Sequence, residues 1–533
     1  MRRRGIVTST LLMSLAALGL SVATARADGN IKAVKHIIIM MQENHSFDNY
    51  LGVLPYAPGG PYHAGPCKSG DHSCVDGLTC STDSMGNLTC SNTNLDADGN
   101  VIQSFHDFNY CPGPDLDHGW SSSHREANLM SPAQALMLSL NNGFVVVNNE
   151  TEQTPGTPDA GDNDTMGFYN QDDLAFYYNL AQTFAIDDRY FCSVVGPTFP
   201  NRAYEMAGTS FGHVVTGTEI FPPGFLTMGS SPGYKPITGN IFNLLDAAGI
   251  TWKNYFEDLP TSVIFRGTTD TSHLLPISVF IAQAAAGTLP QVSFVDPGFA
   301  PDVTLPTGVF ETDEHPPFNI RAGQFVVSEL VNAVRNGPNW NDSVIFLTYD
   351  EHGGFYDHVA PPRAPQGKAL NPDGISPGQC ADASNLPASG LPGGGQTCTE
   401  SQADAAGICP GFTPTGPYPA SCANFNQLGF RVPFIVVSPF AKPHYVSHTV
   451  GDHTSLLSFI ERRFLAKGSG NPQGKAVGQH QSLTLRDQNA DPLDDIFDFN
   501  NSPSLNATLT TAPLPQTTEH DCPFPDPPVS NGP

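Results

Sequence analysis

The chain has 533 residues, 39% hydrophobic and 14% charged, and carries a formal net charge of −27. That length holds one large α/β domain with insertions or two to four smaller domains. The acidic balance argues against nucleic acid, and against a strongly anionic membrane surface, as partners.

Residues 1–27 have the layout of a cleavable secretory signal: Arg2, Arg3 and Arg4, an apolar stretch from about Leu11 to Val22, and Ala25-Arg26-Ala27 as an A-x-A site before Asp28. Cleavage there removes four arginines, takes the charge from −27 to −31 and predicts a secreted or periplasmic protein, with the export route left open. In that setting eleven cysteines predict disulfides with one thiol left over. Four lie in Cys67–Cys90 and four in Cys380–Cys422, each group suited to staple its own insertion, and Cys192 among apolar neighbours is the expected free, buried thiol.

Val34–Met41 is apolar and β-branched, the pattern of a buried strand, and stops at Gln42-Glu43-Asn44-His45-Ser46-Phe47-Asp48. Residues 58–104 read as a turn-rich insertion without helical or strand periodicity. Asp115-Leu116-Asp117-His118-Gly119-Trp120 sets a histidine among carboxylates, ahead of a helix expected over Ser131–Asn141. A second helix is expected over Asp173–Thr183, then short apolar runs at Ala185-Ile186 and Phe191–Val195. Gly196-Pro197-Thr198-Phe199-Pro200-Asn201-Arg202 leads into a helix through Ala203–Ala207, with proline at its start. Thr198 there is either a helix cap or a hydroxyl poised to attack a phosphorus or sulfur centre, whose oxygens the free helix N–H groups hold.

Helix and strand patterns then alternate over Ile241–Ala248, Trp252–Tyr255, Ile277–Ala286, Gln291–Val295, Arg321–Asn336 and Val344–Tyr349, which predicts an α/β fold with a mostly parallel sheet between helices. Asp313-Glu314-His315-Pro316-Pro317 places another histidine in an acidic loop. The last of these strands ends in Asp350-Glu351-His352-Gly353-Gly354, where ligands collect in open α/β sheets. Residues 361–426 are too long for a simple connection and read as a lid or surface excursion. Val432–Val437 returns as a strand, Thr454–Leu465 as a helix introduced by His448, Asp452 and His453, and residues 509–533 form a Pro/Thr-rich tail that Cys522 could tether.

Glu43, Asn44, Asp350 and Glu351 are oxygen donors at the ends of two expected strands, and Thr198 adds a hydroxyl; together they suit one hard divalent cation, calcium first and manganese or magnesium nearly as well. An exposed acidic turn is the plainer reading of Asp350-Glu351. A lone histidine is more often a surface or core residue, so His63, His72 and His124 are given no role.

The runs Gln42–Asp48, Gly196–Arg202 and Thr348-Tyr349-Asp350-Glu351-His352-Gly353-Gly354-Phe355-Tyr356-Asp357-His358-Val359, in this order, resemble the bacterial phosphoesterase family of phosphatidylcholine-preferring phospholipases C and acid phosphatases, within the alkaline-phosphatase-like superfamily. The resemblance runs from about Val34 to Leu465, interrupted by the two cysteine-rich insertions. It implies a metal at Glu43, Asn44, Thr198, Asp350 and Glu351, a Thr198 nucleophile, catalytic histidines at His118, His315 and His352, and substrate contacts from Asn201 and Arg202. It also implies a phospholipid or phosphomonoester substrate, with transient membrane-surface contact for the former. Where the common pattern has arginine after Glu-Asn, this chain has His45. Thr198-Phe199-Pro200-Asn201-Arg202 has sulfatase-like spacing, but threonine cannot become formylglycine, so a sulfatase is set aside. A catalytically silent cation-binding protein would be expected to have lost some of these donors, and none is missing.

Overall fold

The computed structural model describes residues 30–512, apart from 136–138, 153–162, 217–233, 300–310, 366–396 (Asp373 excepted), 414–422, 466–481 and a few single positions. The signal segment and Cys522 lie outside the described residues.

Eight strands form one sheet: β1 His36–Gln42, β2 Ala185–Asp187, β3 Trp252–Phe256, β4 Leu274–Pro276, β5 Val292–Asp296, β6 Ser343–Tyr349, β7 Phe434–Val437 and β8 Tyr445–Ser447. Their order is β4-β3-β5-β1-β6-β7-β2-β8. Every pairing is parallel except those of β7, which runs antiparallel to both β6 and β2. The expected α/β class with a mostly parallel sheet is therefore what the chain adopts. β1 and β6 sit side by side at the centre because their side chains are apolar on both faces, and apart from the half-buried His36 every residue of the two is buried.

Helices flank this sheet: α1 Phe47–Leu51, α2 Trp120–Ala127, α3 Phe144–Glu152, α4 Ala175–Thr183, α5 Thr198–Ala207, α6 Ile241–Ala248, α7 Ile277–Ala286, α8 Ile320–Asn336, α9 Thr397–Ile408 and α10 His453–Phe464. In α8, Ile320, Val327, Leu330, Val331 and Val334 recur at helical spacing and are buried, while Asn319 caps the start by accepting from Arg321 N–H. Each such side chain contributes about 1.5–3 kcal/mol when fully buried.

Two expectations are corrected. Among the described residues of the helix expected over Ser131–Asn141, which leave out 136–138, the one helical piece is a 3-10 turn, Pro132–Gln134. The amides of Leu140 and Asn141 bond back to the Ala127 carbonyl at the end of α2, and Asn141 has φ 48°, so the segment closes a loop instead of extending a helix. Residues 58–104, expected to lack strands, contain two hairpins, Cys80–Thr82 with Leu88–Cys90 and Thr93–Leu95 with Val101–Gln103. Each turns on Asp-x-x-Gly-Asn, with Asp83 accepting from Asn87 and Asp96 from Asn100. Disulfides Cys67–Cys74 and Cys80–Cys90 staple this insertion within itself, and Cys192 is free and buried, both as expected. Cys111 and Cys409 are disulfide-bonded as well.

The insertion is fastened to the sheet by Arg431, which is fully buried. Its Nε donates to Asp357 (3.0 and 3.1 Å), Nη2 to Asp48 (2.9 Å) and Nη1 to the Asp76 and Asp188 carbonyls (2.6 and 3.0 Å). His358 completes the knot, with Nδ1 2.7 Å from Asp48 and Nε2 3.3 Å from Asp76. Burial alone would depress the His358 pKa, but the Asp48 and Asp76 carboxylates together outweigh it and lift the ring to about 10. For Asp48, burial is outweighed in turn by His358 and Arg431, which hold it below the ordinary value. The folded pKa of His358 lies above its unfolded value of about 6.5. Its stabilisation is accordingly full below that pH and is lost as pH rises towards about 10, whereas that of Asp48 is lost on acidification. Thermal denaturation across a pH series should show wild type losing stability through this alkaline window and His358→Gln losing much less; parallel curves would separate His358 from the knot.

Candidate active site

β1 and β6 pair in parallel with Gln42 opposite Tyr349, so whatever follows the two strands emerges side by side. Glu43 and Asn44 follow one, Asp350 and Glu351 the other, and all four are buried. The ladder runs one step further, Asp350 N–H donating to the Gln42 carbonyl (3.1 Å), and Asp350 Oδ1 accepts from Asn44 N–H (3.1 Å). Asn44 has φ 63° and Gly353 has φ 61°; a Cβ on Gly353 would sit 2.2 Å from the Asn44 carbonyl oxygen. Gly354, at φ 75°, would bring a Cβ to 2.6 Å from that of Leu116. The paired glycines thus let the Asn44 turn and the Leu116–His118 loop close on one point.

One oxygen on each of three of these side chains, Asn44 Oδ1, Asp350 Oδ2 and Glu351 Oε1, is buried without a hydrogen-bond partner. Unpaired buried oxygens are costly, and oxygen-only donors converging on one place fit a hard divalent cation.

Helix α5 brings the hydroxyl. Pro197 occupies the N-cap position without a side-chain bond, and Thr198 is the first residue inside the helix. The capping reading of Thr198 therefore does not hold. One turn on, and so on the same face, Arg202 places Nη2 3.0 Å and Nε 3.2 Å from Glu43 Oε1, with Nε 3.7 Å from Asp350 Oδ2. Arg202 also donates to the Met41 and Gln42 carbonyls, which clamps α5 to the end of β1, and its buried Nη1 has no partner. Asn201, expected to contact substrate, faces the preceding loop: Nδ2 donates to the Gly196 and Pro197 carbonyls (2.8 and 3.1 Å) and Oδ1 accepts from Val194 N–H (3.0 Å).

The histidines divide in two. His118 Nδ1 donates to the Leu116 carbonyl (2.6 Å) and His315 Nδ1 to that of Pro316 (2.6 Å), so neither carbonyl engages Nε2. His118 Nε2 lies 3.5 Å from Asn44 Nδ2 and 3.8 Å from Glu351 Oε1, and the two rings are 6.0 Å apart with Asp115 beside both. Burial lowers both pKa values, but Glu351 and Asp115 for His118, and Asp115, Glu43 and Asp313 for His315, outweigh it and lift each to about 9. His352 is fully enclosed, held between Glu126 Oε2 (2.7 Å) and Glu351 Oε2 (3.1 Å). Glu126 was not singled out in the sequence; it sits in a polar stretch of α2 and owes its place to Asn148, which donates to its Oε1 (3.0 Å). Asp296, at the end of β5, is another carboxylate that sequence reading passed over.

The carboxylates respond to confinement. Burial, and then Asp350, raises Glu43 to about 7, and burial raises Asp350 to about 6 against the pull of Arg202. Glu351 goes the other way: burial favours a rise, but His118 and His352 hold it below the ordinary value.

Residues 34–466 match the model of the Phosphoesterase family, and the chain belongs to that family. Phospholipase C B of Mycobacterium tuberculosis is 28% identical over 472 residues, spanning 82% of this chain and 74% of its own length. The non-hemolytic phospholipase C of Burkholderia pseudomallei is 29% identical over 481 residues, 84% of this chain and 57% of its own. The chain is thus a phosphoric-ester hydrolase.

Gly353→Ala tests the convergence. The left-handed φ alone should cost about 1–3 kcal/mol in chemical denaturation, and the collision with the Asn44 carbonyl should remove most phosphoester hydrolysis; wild-type stability and rate would mean the turn tolerates a side chain.

Proposed function

We propose that the protein is an exported phospholipase C, cleaving phospholipids to diacylglycerol and a phosphorylated head group through a Thr198 nucleophile and one divalent cation. The observation that carries this reading is the set of three orphaned, buried oxygens on Asn44, Asp350 and Glu351, beside a helix that begins at a threonine. The two named relatives are phospholipases C, which supports the substrate class.

Glu43, Asn44, Thr198, Asp350 and Glu351 would hold the cation, calcium for preference and manganese or magnesium as alternatives. When bound it supplies Lewis acidity that favours the threonine alkoxide and offsets charge on the phosphoryl group. The Thr198 oxygen attacks phosphorus, its proton passing to solvent water, and the bond from phosphorus to the glycerol oxygen breaks. That oxygen takes a proton from Nε2 of His118 or His315, the ring nitrogens that the Leu116 and Pro316 carbonyls do not engage. Arg202 Nη1, without another partner, contacts a phosphoryl oxygen. Water then hydrolyses the phosphothreonine, the same histidines accepting its proton, and the departing Thr198 oxygen takes a proton back from solvent water. His352 acts through Glu351, which it holds from behind, and Asn201 through the loop that presents Thr198.

Two measurements test this. Asp350→Asn and Glu43→Gln should retain less divalent cation after gel filtration, read by elemental analysis, and chelation should abolish turnover; a fully active metal-free protein would exclude the cation. Thr198→Ala should lose several orders of magnitude in rate with fold and metal content kept, Thr198→Ser should retain part, and acid quench of wild type should trap a phosphopeptide containing Thr198. Assays on phosphatidylcholine and on a simple aryl phosphate rank the lipase against an acid phosphatase acting on soluble monoesters.

A further inference from the structure

Beside the site lies a polar cluster that the chemistry above does not use. Glu314 is fully buried, with its backbone at φ 73° although it is not a glycine. Its Oε2 accepts from Tyr50 and Tyr349 hydroxyls (both 2.7 Å), its Oε1 from the Tyr177 hydroxyl and, at 3.4 Å, from Gln42 Nε2. Its backbone carbonyl accepts from His45 Nε2 (2.9 Å), and His45 is stacked between Tyr50 and Phe355. The side chain passes over α8 where there is no room for another: a Cβ on Gly323 would lie 2.2 Å from Glu314 Cγ. Four protein donors fill about the four acceptor sites of one carboxylate, so no place is left on it for another ligand, and a left-handed backbone at a long side chain persists only where its surroundings enforce it.

Both neighbours of Glu314 belong to the site. The Asp313 carbonyl accepts from Glu43 N–H (2.8 Å), Asp313 Oδ1 accepts from His315 N–H (3.0 Å), and His315 Nε2 lies 4.0 Å from Asp115 Oδ1, beside the His118 ring. Tyr349 and Gln42 are the last residues of β6 and β1, so two of the four donors that grip Glu314 stand on the same two strands that carry the carboxylates, and Tyr50 and Tyr177 reach it from α1 and α4. We infer that Glu314 is a positioning residue: anchored by Tyr50, Tyr177, Tyr349 and Gln42, it holds the Asp313–His315 turn in its strained form and so fixes His315 over the strand ends. His45, which donates to the Glu314 carbonyl, is the backbone half of this anchor. The inference rests on the reading of His315 as a proton donor to the leaving oxygen.

The test uses Glu314→Gln, Tyr349→Phe and Gly323→Ala in the full mature chain, with kcat measured on a phosphodiester having a poor alkoxide leaving group and on an aryl phosphodiester whose leaving group departs without a proton. A displaced His315 should lower kcat on the alkyl substrate by about 10- to 100-fold, with a much smaller change on the aryl substrate and unchanged retained cation. Placed on a His315→Ala background, the same substitutions should add almost nothing. Equal losses on both substrates, or additive losses on that background, would make Glu314 a general stabiliser and overturn the inference. A near-wild-type His315→Ala would instead overturn the role of His315 itself, a different outcome. Should Glu314→Gln fail to fold, Tyr349→Phe, which removes one donor of four, decides by the same comparison.

Discussion

The parallel pairing of β1 with β6 forces a buried concentration of charge. Two buried, mainly apolar strands end at the same level, and each is followed at once by acidic or amide residues, so Glu43, Asn44, Asp350 and Glu351 must share a space from which water is excluded. Carboxylates so confined repel one another and lose hydration, and an uncompensated charge of this kind is expensive. Arg202 offsets Glu43 and Asp350, and His118 and His352 offset Glu351. The orphaned oxygens that remain define the direction in which a further positive charge would be welcome.

Much of the surrounding structure serves to hold these groups against their mutual repulsion. Backbone carbonyls of Leu116 and Pro316 fix the ring orientations of His118 and His315. Glu126 and Asn148 brace His352, and Glu314 with its tyrosines braces the turn before His315. On the outer side of the same strand ends, Arg431 gathers Asp48, Asp357 and the carbonyls of Asp76 and Asp188, tying the disulfide-stapled insertion to the sheet. Buried polar networks of this kind rigidify when every member is satisfied. Rigidity is what a site needs if its oxygens are to be preorganised around a transferring phosphoryl group.

The residues that converge come from segments around positions 43, 118, 202, 315 and 350, and they arrive on different devices: a strand end, a loop pinned by carbonyls, the first turns of a helix, a strained turn. α5 is the clearest of these. Pro197 opens it, Arg202 fastens it to β1 one turn later, and Asn201 ties down the loop before it, so the position of Thr198 is set from three sides.

From the sequence by itself one could read the α/β class, the central strands and the residues after them, because a continuous apolar run bounded by acids and glycines has few other uses. The free Cys192 was legible for a similar reason, being placed among apolar neighbours. Local pattern failed where long-range bonds decided: the amides of Leu140 and Asn141 turn back to Ala127, and the 58–104 hairpins are closed by Asp–Asn turns and a disulfide that periodicity does not register. The bracing residues Glu126 and Glu314 were equally hidden as such, since a glutamate in a polar stretch carries no mark of its future partners. Only the tertiary structure decides that Thr198 lies inside its helix instead of capping it, and that Asn201 faces its own loop. Those outcomes depend on which backbone groups are left to bond once the sheet, and the helices packed on it, have formed.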